Sequence, residues 1–358
     1  MASEMPAPLG TSSAFPEMIF SDILSTIMNR RDFLHLSTAA AAGLALGACT
    51  SSDGPLRESN SSPPRDKPEP NPEPQSDGTL PFLISLAQWS LHRTLKSGTT
   101  TNLDFPRIAA EEFDIHAIEY VNTFFMDKPR DKKYLTELRT RCTDAQVESR
   151  LIMCDGLGRL GDPNGGRRSQ AIDNHKPWLH AAKYLGCFAI RVNAASEGSS
   201  EDQQRFAADG LHKLAAFAAD MDMQVIVENH GGLSSNAQWL ASVITRADMP
   251  NLGTLPDFGN FCLDWSRRDD PAAWYDRYKG VAELMPFARA VSAKSYDFDA
   301  QGNETTIDYQ RMLKIVTDAG YHSFVGIEYE GTRLSEYEGI RATKALLERI
   351  SDAMAGGV

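Results

Sequence analysis

The chain has 358 residues, 42% of them hydrophobic, enough for a sizeable core and too many for a chain disordered throughout. Its 36 Lys+Arg against 48 Asp+Glu give a formal charge of −12, and an acidic chain without a basic stripe is a poor partner for phosphate backbones, so no nucleic acid is expected as a ligand. No stretch reaches the roughly 18 apolar residues of a membrane span, and Cys142, Cys154, Cys187 and Cys262 are scattered without CxxC spacing, against a disulfide framework or a structural zinc site.

Residues 1–49 read as an address. Asn29-Arg30-Arg31-Asp32-Phe33-Leu34-His35 sets paired arginines ahead of the weakly apolar run Ser37 to Ala48, the pattern of a twin-arginine export signal with an apolar stretch too short to span. The run ends Leu46-Gly47-Ala48-Cys49, which resembles the lipobox of bacterial lipoproteins; the resemblance implies that Cys49 takes a lipid and becomes the mature N-terminus. A signal beginning at Met28 has the more ordinary length, so translation is expected to start there. Residues 50–79 form a linker rich in Ser, Pro, Asp and Glu, with Lys67-Pro68-Glu69-Pro70-Asn71-Pro72-Glu73-Pro74 as an extended, disordered tether. The expected outcome is a periplasmic protein, delivered by the twin-arginine machinery and touching the membrane through a lipid anchor only.

From residue 80 to 358, short β-rich runs alternate with amphipathic stretches. Strands are predicted over Phe82–Trp89, Ala117–Val121, Ser149–Cys154, Phe188–Val192, Gln224–Glu228, Leu252–Asp257, Ala290–Lys294 and Phe324–Glu328. Helical spacing marks Gln203–Asp220, Asn236–Thr245 and Glu336–Met354. Eight units at a pitch of roughly 30–40 residues, with no Gly-rich phosphate turn after the first strand, favour a single (β/α)8 TIM barrel over a doubly wound sheet.

In a barrel the C-terminal ends of the strands carry the chemistry. Those ends hold Gln88 and Trp89, Glu119 and Asn122, Asp155, Arg191 and Asn193, Glu228 and His230, Asp257 and Asn260, Lys294 and Asp297, then Glu328 and Glu330. Glu228, Asp257 and Glu328 each end a largely apolar strand. Taken singly, each is as well explained by an ion pair with Arg191, Lys294 or Arg333; three together in a dry mouth repel one another unless protonated, paired or bridged by a cation. An oxygen-rich set suits Mn, Mg or Co, with Zn as a further candidate.

The fragments Ser85-Leu86-Ala87-Gln88-Trp89-Ser90, Glu119-Tyr120-Val121-Asn122, Val227-Glu228-Asn229-His230-Gly231, Asp257-Phe258-Gly259-Asn260 and Gly326-Ile327-Glu328-Tyr329-Glu330 resemble, in order and placement, the sugar phosphate isomerase/epimerase family of xylose isomerase-like barrels. That resemblance implies metal ligands at Glu228, Asp257 and Glu328. The family's fourth ligand, a His two residues before the seventh-strand Lys, is replaced by Ser292, so His230 is expected to supply an imidazole or water to complete the sphere. Asn260 likewise stands where a His is common.

The resemblance further implies removal of a proton next to a carbonyl, with Glu228 and Glu328 as acid and base and Lys294 assisting. Gln88, Trp89, Glu119, Arg191, Asn193, His230 and Asn260 are the expected substrate contacts. An exported protein is expected to meet an unphosphorylated sugar or keto-sugar. Two alternatives use the same residues: a lyase that opens 3-keto-glycosides by β-elimination, and a non-catalytic sugar-binding lipoprotein. The endonuclease branch of the superfamily needs a His-rich trinuclear zinc cluster, which one strand-end His and an acidic chain do not supply.

Overall fold

The computed structural model describes residues 80–356; the export signal, Met28, Cys49 and the tether lie outside the described residues. Eight parallel strands follow in chain order: β1 (Leu83–Ala87), β2 (Ala117–Val121), β3 (Glu148–Met153), β4 (Ala189–Val192), β5 (Gln224–Glu228), β6 (Leu252–Leu255), β7 (Val291–Ser295) and β8 (Phe324–Tyr329). They pair in the order β6-β5-β4-β3-β2-β1-β8-β7. The two ends of this sheet meet through backbone bonds, Phe258 N to Ser292 O at 3.0 Å, Ser292 N to Pro256 O at 2.9 Å and Arg289 N to Thr254 O at 2.9 Å. The barrel therefore closes, as the eight-unit pattern predicts, and its closing seam runs through Asp257 and Ser292, which form a parallel bridge.

The helices cover the outside: α1 (His92–Lys96), α2 (Phe105–Phe113), α3 (Lys132–Asp144), α4 (Gly165–Leu185), α5 (Ser200–Ala219), α6 (Ala237–Ala247), α7 (Arg277–Leu284), α8 (Tyr309–Asp318) and α9 (Glu336–Ala355). Several start on a side-chain cap, Asn164 for α4, Asn236 for α6, Asp308 for α8 and a Ser335/Glu338 capping box for α9. Among the described residues no helix is long and apolar enough to cross a membrane.

Strand side chains alternate between two layers. Leu86, Ile118, Tyr120, Ile152, Ile190, Val225, Val227, Val291, Val325 and Ile327 belong to the layer under the helices. Ala87, Val121, Leu151, Met153, Ala189, Ile226 and Leu255 form a separate cluster, the apolar plug of the barrel. Two residues beyond this plug the same inward positions turn charged: Arg191 follows Ala189, Glu228 follows Ile226 and Asp257 follows Leu255. An apolar floor with ionisable groups directly above it is what positions the site.

Candidate active site

Glu228, Asp257 and Glu328 converge, all buried, with one carboxylate oxygen from each lying within 4.8 Å of the others. Each is held by its own support. Asp257 Oδ1 accepts from the backbone N–H groups of Gly259 (2.8 Å) and Asn260 (2.7 Å), which leaves Oδ2 facing inward. Glu228 Oε1 accepts from Asn260 Nδ2 at 2.7 Å. Glu228 Oε2 lies 2.8 Å from Arg191 Nε, yet neither atom has a hydrogen-bond partner, so this pair is in Coulombic contact without the alignment of a bond. Arg191 donates instead to Asp155 Oδ1 at 2.7 Å, and Asn193 donates to the same oxygen at 2.8 Å.

On the other side Lys294 Nζ lies 2.8 Å from Glu328 Oε1, 3.1 Å from Glu330 Oε2 and 3.9 Å from Asp257 Oδ2. Ser292 Oγ stands 2.6 Å from Asp257 Oδ2 and 2.9 Å from Glu328 Oε2. The hydroxyl thus ties two carboxyl groups together at the position where the resemblance leads one to expect an imidazole.

This arrangement splits the ionisation of similar groups. Burial pushes Glu228 up to about 7 despite Arg191, with Glu328 adding to the rise. Burial also pushes Asp257 up to about 7 against the pull of Lys294. For Glu328 the cost of burial is outweighed by Lys294 and Ser292, and its carboxyl sits below the usual range. Asp155, burial notwithstanding, is pulled down to about 2 by Arg191.

Not every residue expected in the site is brought into it. Gln88 is fully buried with both amide ends engaged, Nε2 donating to Asn102 at 2.6 Å and Oε1 accepting from Val121 N at 2.9 Å. It stitches β1 to β2 with a side chain that is shut off from solvent. His230 is exposed and is not among the three converging carboxyl groups, though it stands close enough to Arg191, Asp155, Lys294 and Glu328 to feel their charge; its backbone N–H goes to Ser234 Oγ. The imidazole expected as a fourth ligand is therefore a rim group here. Glu119 lies deeper than expected: Ser85 Oγ donates to its Oε1 at 2.6 Å, and the room for it exists only because residue 326 is Gly, where a Cβ would stand 2.6 Å from that oxygen. Burial pushes Glu119 up to about 7 as well. Trp89 does reach the site, its Nε1 donating to Glu330, with the ring stacked on His92 at 4.9 Å.

A sequence profile of the family described as xylose isomerase-like TIM barrel matches residues 108–352. The chain belongs to that family. No curated protein matches this xylose isomerase-like barrel. Among solved structures it is similar to a D-tagatose 3-epimerase-like protein (18% identity, TM-score 0.58, covering 76% of this chain and 99% of the other). It is similar also to the apo 3-keto-D-glucoside 4-epimerase of E. coli (14%, 0.56, 70% and 94%). A third is a xylose isomerase-like TIM barrel protein from Mycobacterium smegmatis in complex with magnesium (13%, 0.57, 76% and 98%). At these identities the likeness is one of fold.

The acid cluster of this barrel fits a hard divalent cation. Its donors are all oxygen, three carboxyl groups surround one point, and Glu228 Oε2 is a buried atom without a hydrogen-bond partner. Residues of the site that the sequence reading gave no role include Asn229, which accepts from Asp257 N at 2.8 Å and donates to Asp257 O at 3.0 Å. Asn122 does the same between β2 and β3, pairing with Asp155 N and O at 2.9 Å each. The available signal was an Asn or Gln directly after a strand end, repeated in three units.

Proposed function

We propose that the protein is a metal-dependent sugar isomerase or epimerase that removes a proton from the carbon next to a carbonyl of an unphosphorylated sugar or keto-sugar. The observation that carries this is geometric: Glu228, Asp257 and Glu328 converge in one buried cluster, with Lys294 Nζ 2.8 Å from Glu328 and Arg191 beside Glu228. Two carboxyl groups whose surroundings drive their ionisation apart are the parts of an acid–base pair. Glu328 accepts the proton, Glu228 returns one, and Lys294 Nζ holds charge that develops on a substrate oxygen. Arg191 keeps Glu228 in place, and Trp89, packed against His92 and Lys96, is held at the rim by Glu330. A divalent ion on Glu228, Asp257 and Glu328 would polarise the carbonyl; the magnesium complex of the M. smegmatis barrel supports that ligand class. The likeness to a D-tagatose 3-epimerase-like protein and a 3-keto-D-glucoside 4-epimerase supports a sugar substrate, and the second of them an oxidised one.

A second reading uses the same proton abstraction: on a 3-keto-glycoside the enolate expels the group on the neighbouring carbon, a β-elimination. Incubation of the metal-supplemented protein in D2O with ketoses and 3-keto-glycosides separates the two. Deuterium gained at carbon with the skeleton intact supports the isomerase or epimerase, and release of the aglycone supports the lyase. Sugars that bind without either change leave a binding protein. Glu228→Gln and Glu328→Gln are each expected to lower exchange about 10²–10⁴-fold; exchange unchanged in both variants overturns the assignment.

We also propose that the chain is exported and lipid-anchored in the periplasm, on Arg30-Arg31 and the Leu46–Cys49 segment. Cys49→Ala is expected to move the protein from the membrane to the soluble fraction. An unchanged distribution removes the anchor.

A further inference from the structure

Between β6 and α7 the chain does not run directly to its helix but folds back on itself. Cys262 and Trp274 form an antiparallel bridge, Leu263 N donates to Ala273 O at 2.7 Å and Tyr275 N to Phe261 O at 2.9 Å. This loop has a firm root: Asn260 O accepts from Ser235 Oγ at 2.8 Å and from Asn229 Nδ2 at 3.1 Å, which ties it to the loop after β5. It carries Trp265, the most exposed large hydrophobic side chain among the described residues at 55%. The indole is nonetheless placed. Trp274 meets it edge-on with centroids 6.0 Å apart, and Asp264 caps the turn through Ser266 N at 3.0 Å.

The placement points to the barrel mouth. Trp265 Nε1 lies against Gly231, where a Cβ would stand 3.2 Å away, and Gly231 is three residues past Glu228. More than half of a large aromatic side chain therefore stands open to solvent on the β5–β6 side of the rim, one loop outward from the acid cluster. On the β1–β8 side Trp89 is the inner aromatic, linked through Glu330 to Lys294. Beyond the loop's root Arg277 keeps its Nη1 buried without a hydrogen-bond partner, a donor left over for a ligand oxygen. An exposed indole with an unpaired donor nearby suits a polyol ring, whose C–H face stacks while its hydroxyl groups bond at the edge.

We infer that Trp265 is the platform for the outer ring of a two-ring substrate, so that the substrate class is a disaccharide or ring-bearing glycoside rather than a free monosaccharide. This rests on the sugar-binding reading given above. The inner ring lies over the carboxyl cluster beside Trp89, and the outer ring stacks on Trp265.

Calorimetric titration of the full-length protein with methyl β-D-glucoside, cellobiose, methyl α-D-glucoside and maltose tests it. The wild type is expected to bind at least one disaccharide about fivefold more tightly than the matching methyl glucoside, the size of one aromatic contact. Trp265→Ala removes that margin and leaves the methyl glucoside affinity unchanged, and Trp265→Tyr restores most of it. Equal affinity for one and two rings in the wild type, or equal weakening of both by Trp265→Ala, overturns the platform while leaving a sugar site standing. Failure of all four to bind overturns the platform, while the keto-sugar reading stands or falls separately on the D2O exchange experiment.

Discussion

Ser292 Oγ contacts Asp257 and Glu328 at once, so a hydroxyl occupies the place where the family resemblance leads one to expect an imidazole. A hydroxyl is a weak ligand for a divalent ion, and the remaining donors are carboxyl oxygens, which favour hard cations. Ser292→His is therefore expected to raise zinc affinity at least tenfold while changing magnesium affinity little, read by competition with a chromogenic chelator; unchanged zinc affinity would show that this position does not face the metal. Gln88 gives the opposite kind of test. Its buried amide bonds Asn102 and Val121 N, so Gln88→Leu leaves a buried backbone donor unpaired and costs about 1–3 kcal/mol of stability by denaturant titration. Its kcat/KM is expected to stay within a few-fold of wild type, and a selective rise in KM without loss of stability would return Gln88 to the substrate.

The strands were legible because a fully buried parallel strand reads as a short apolar run, and each of the eight runs falls within a few residues of an observed strand. The three acids were legible too, as the first charges after those runs. What did not show is where side chains at neighbouring ends point. Gln88, Asn122 and Asn229 all follow a strand, and the amide oxygen of each accepts from a backbone N–H at or just past the end of the next strand, a cross-strand relation absent from any local pattern. Ser90 works similarly towards β8, accepting from Tyr329 N at 2.9 Å and donating to Ile327 O at 3.0 Å. The rim is thus stitched strand to strand by side chains where sheet bonding ends. Glu119 was misplaced in depth for a related reason, since only the contact across β1 to Gly326 shows that it lies beneath the acids. Gly326→Ala puts a Cβ 2.6 Å from Glu119 Oε1, between packed strands that cannot separate. A loss of about 1–3 kcal/mol is expected, with Glu119→Ala in the same chain recovering part of it; additive losses in the double variant would place Glu119 elsewhere.

The acidic balance of the whole chain has a local centre in the barrel mouth, and that centre couples pH, metal and stability. Glu228 and Asp257 have ordinary values of 4.5 and 3.8 when the chain unfolds, and both are pushed to about 7 by burial in the native protein. Between pH 4 and 7 the unfolded chain has released protons that the native state still holds, so the native state loses ground as pH rises across that window. The stability these two groups lend is complete below their unfolded values and gone above about 7. Glu328 runs the other way, adding stability above its ordinary range that is lost as pH falls, and so cannot cancel the trend near neutrality. A divalent ion needs the carboxylates deprotonated and competes with the same protons. The metal-free protein is therefore expected to melt at lower temperature at pH 8 than at pH 6, while excess Mn²⁺ raises the melting temperature more at pH 8 than at pH 6. Asp257→Asn, which has no proton to lose, weakens the first dependence, leaving the share of Glu228 and Glu119, and removes most of the second. Differential scanning calorimetry across pH 5–8, with and without Mn²⁺, measures both. A metal-free wild type and Asp257→Asn that run parallel throughout would show that Asp257 is ionised in the native cluster from pH 5 upward, and the coupling between its proton and the cation would fall.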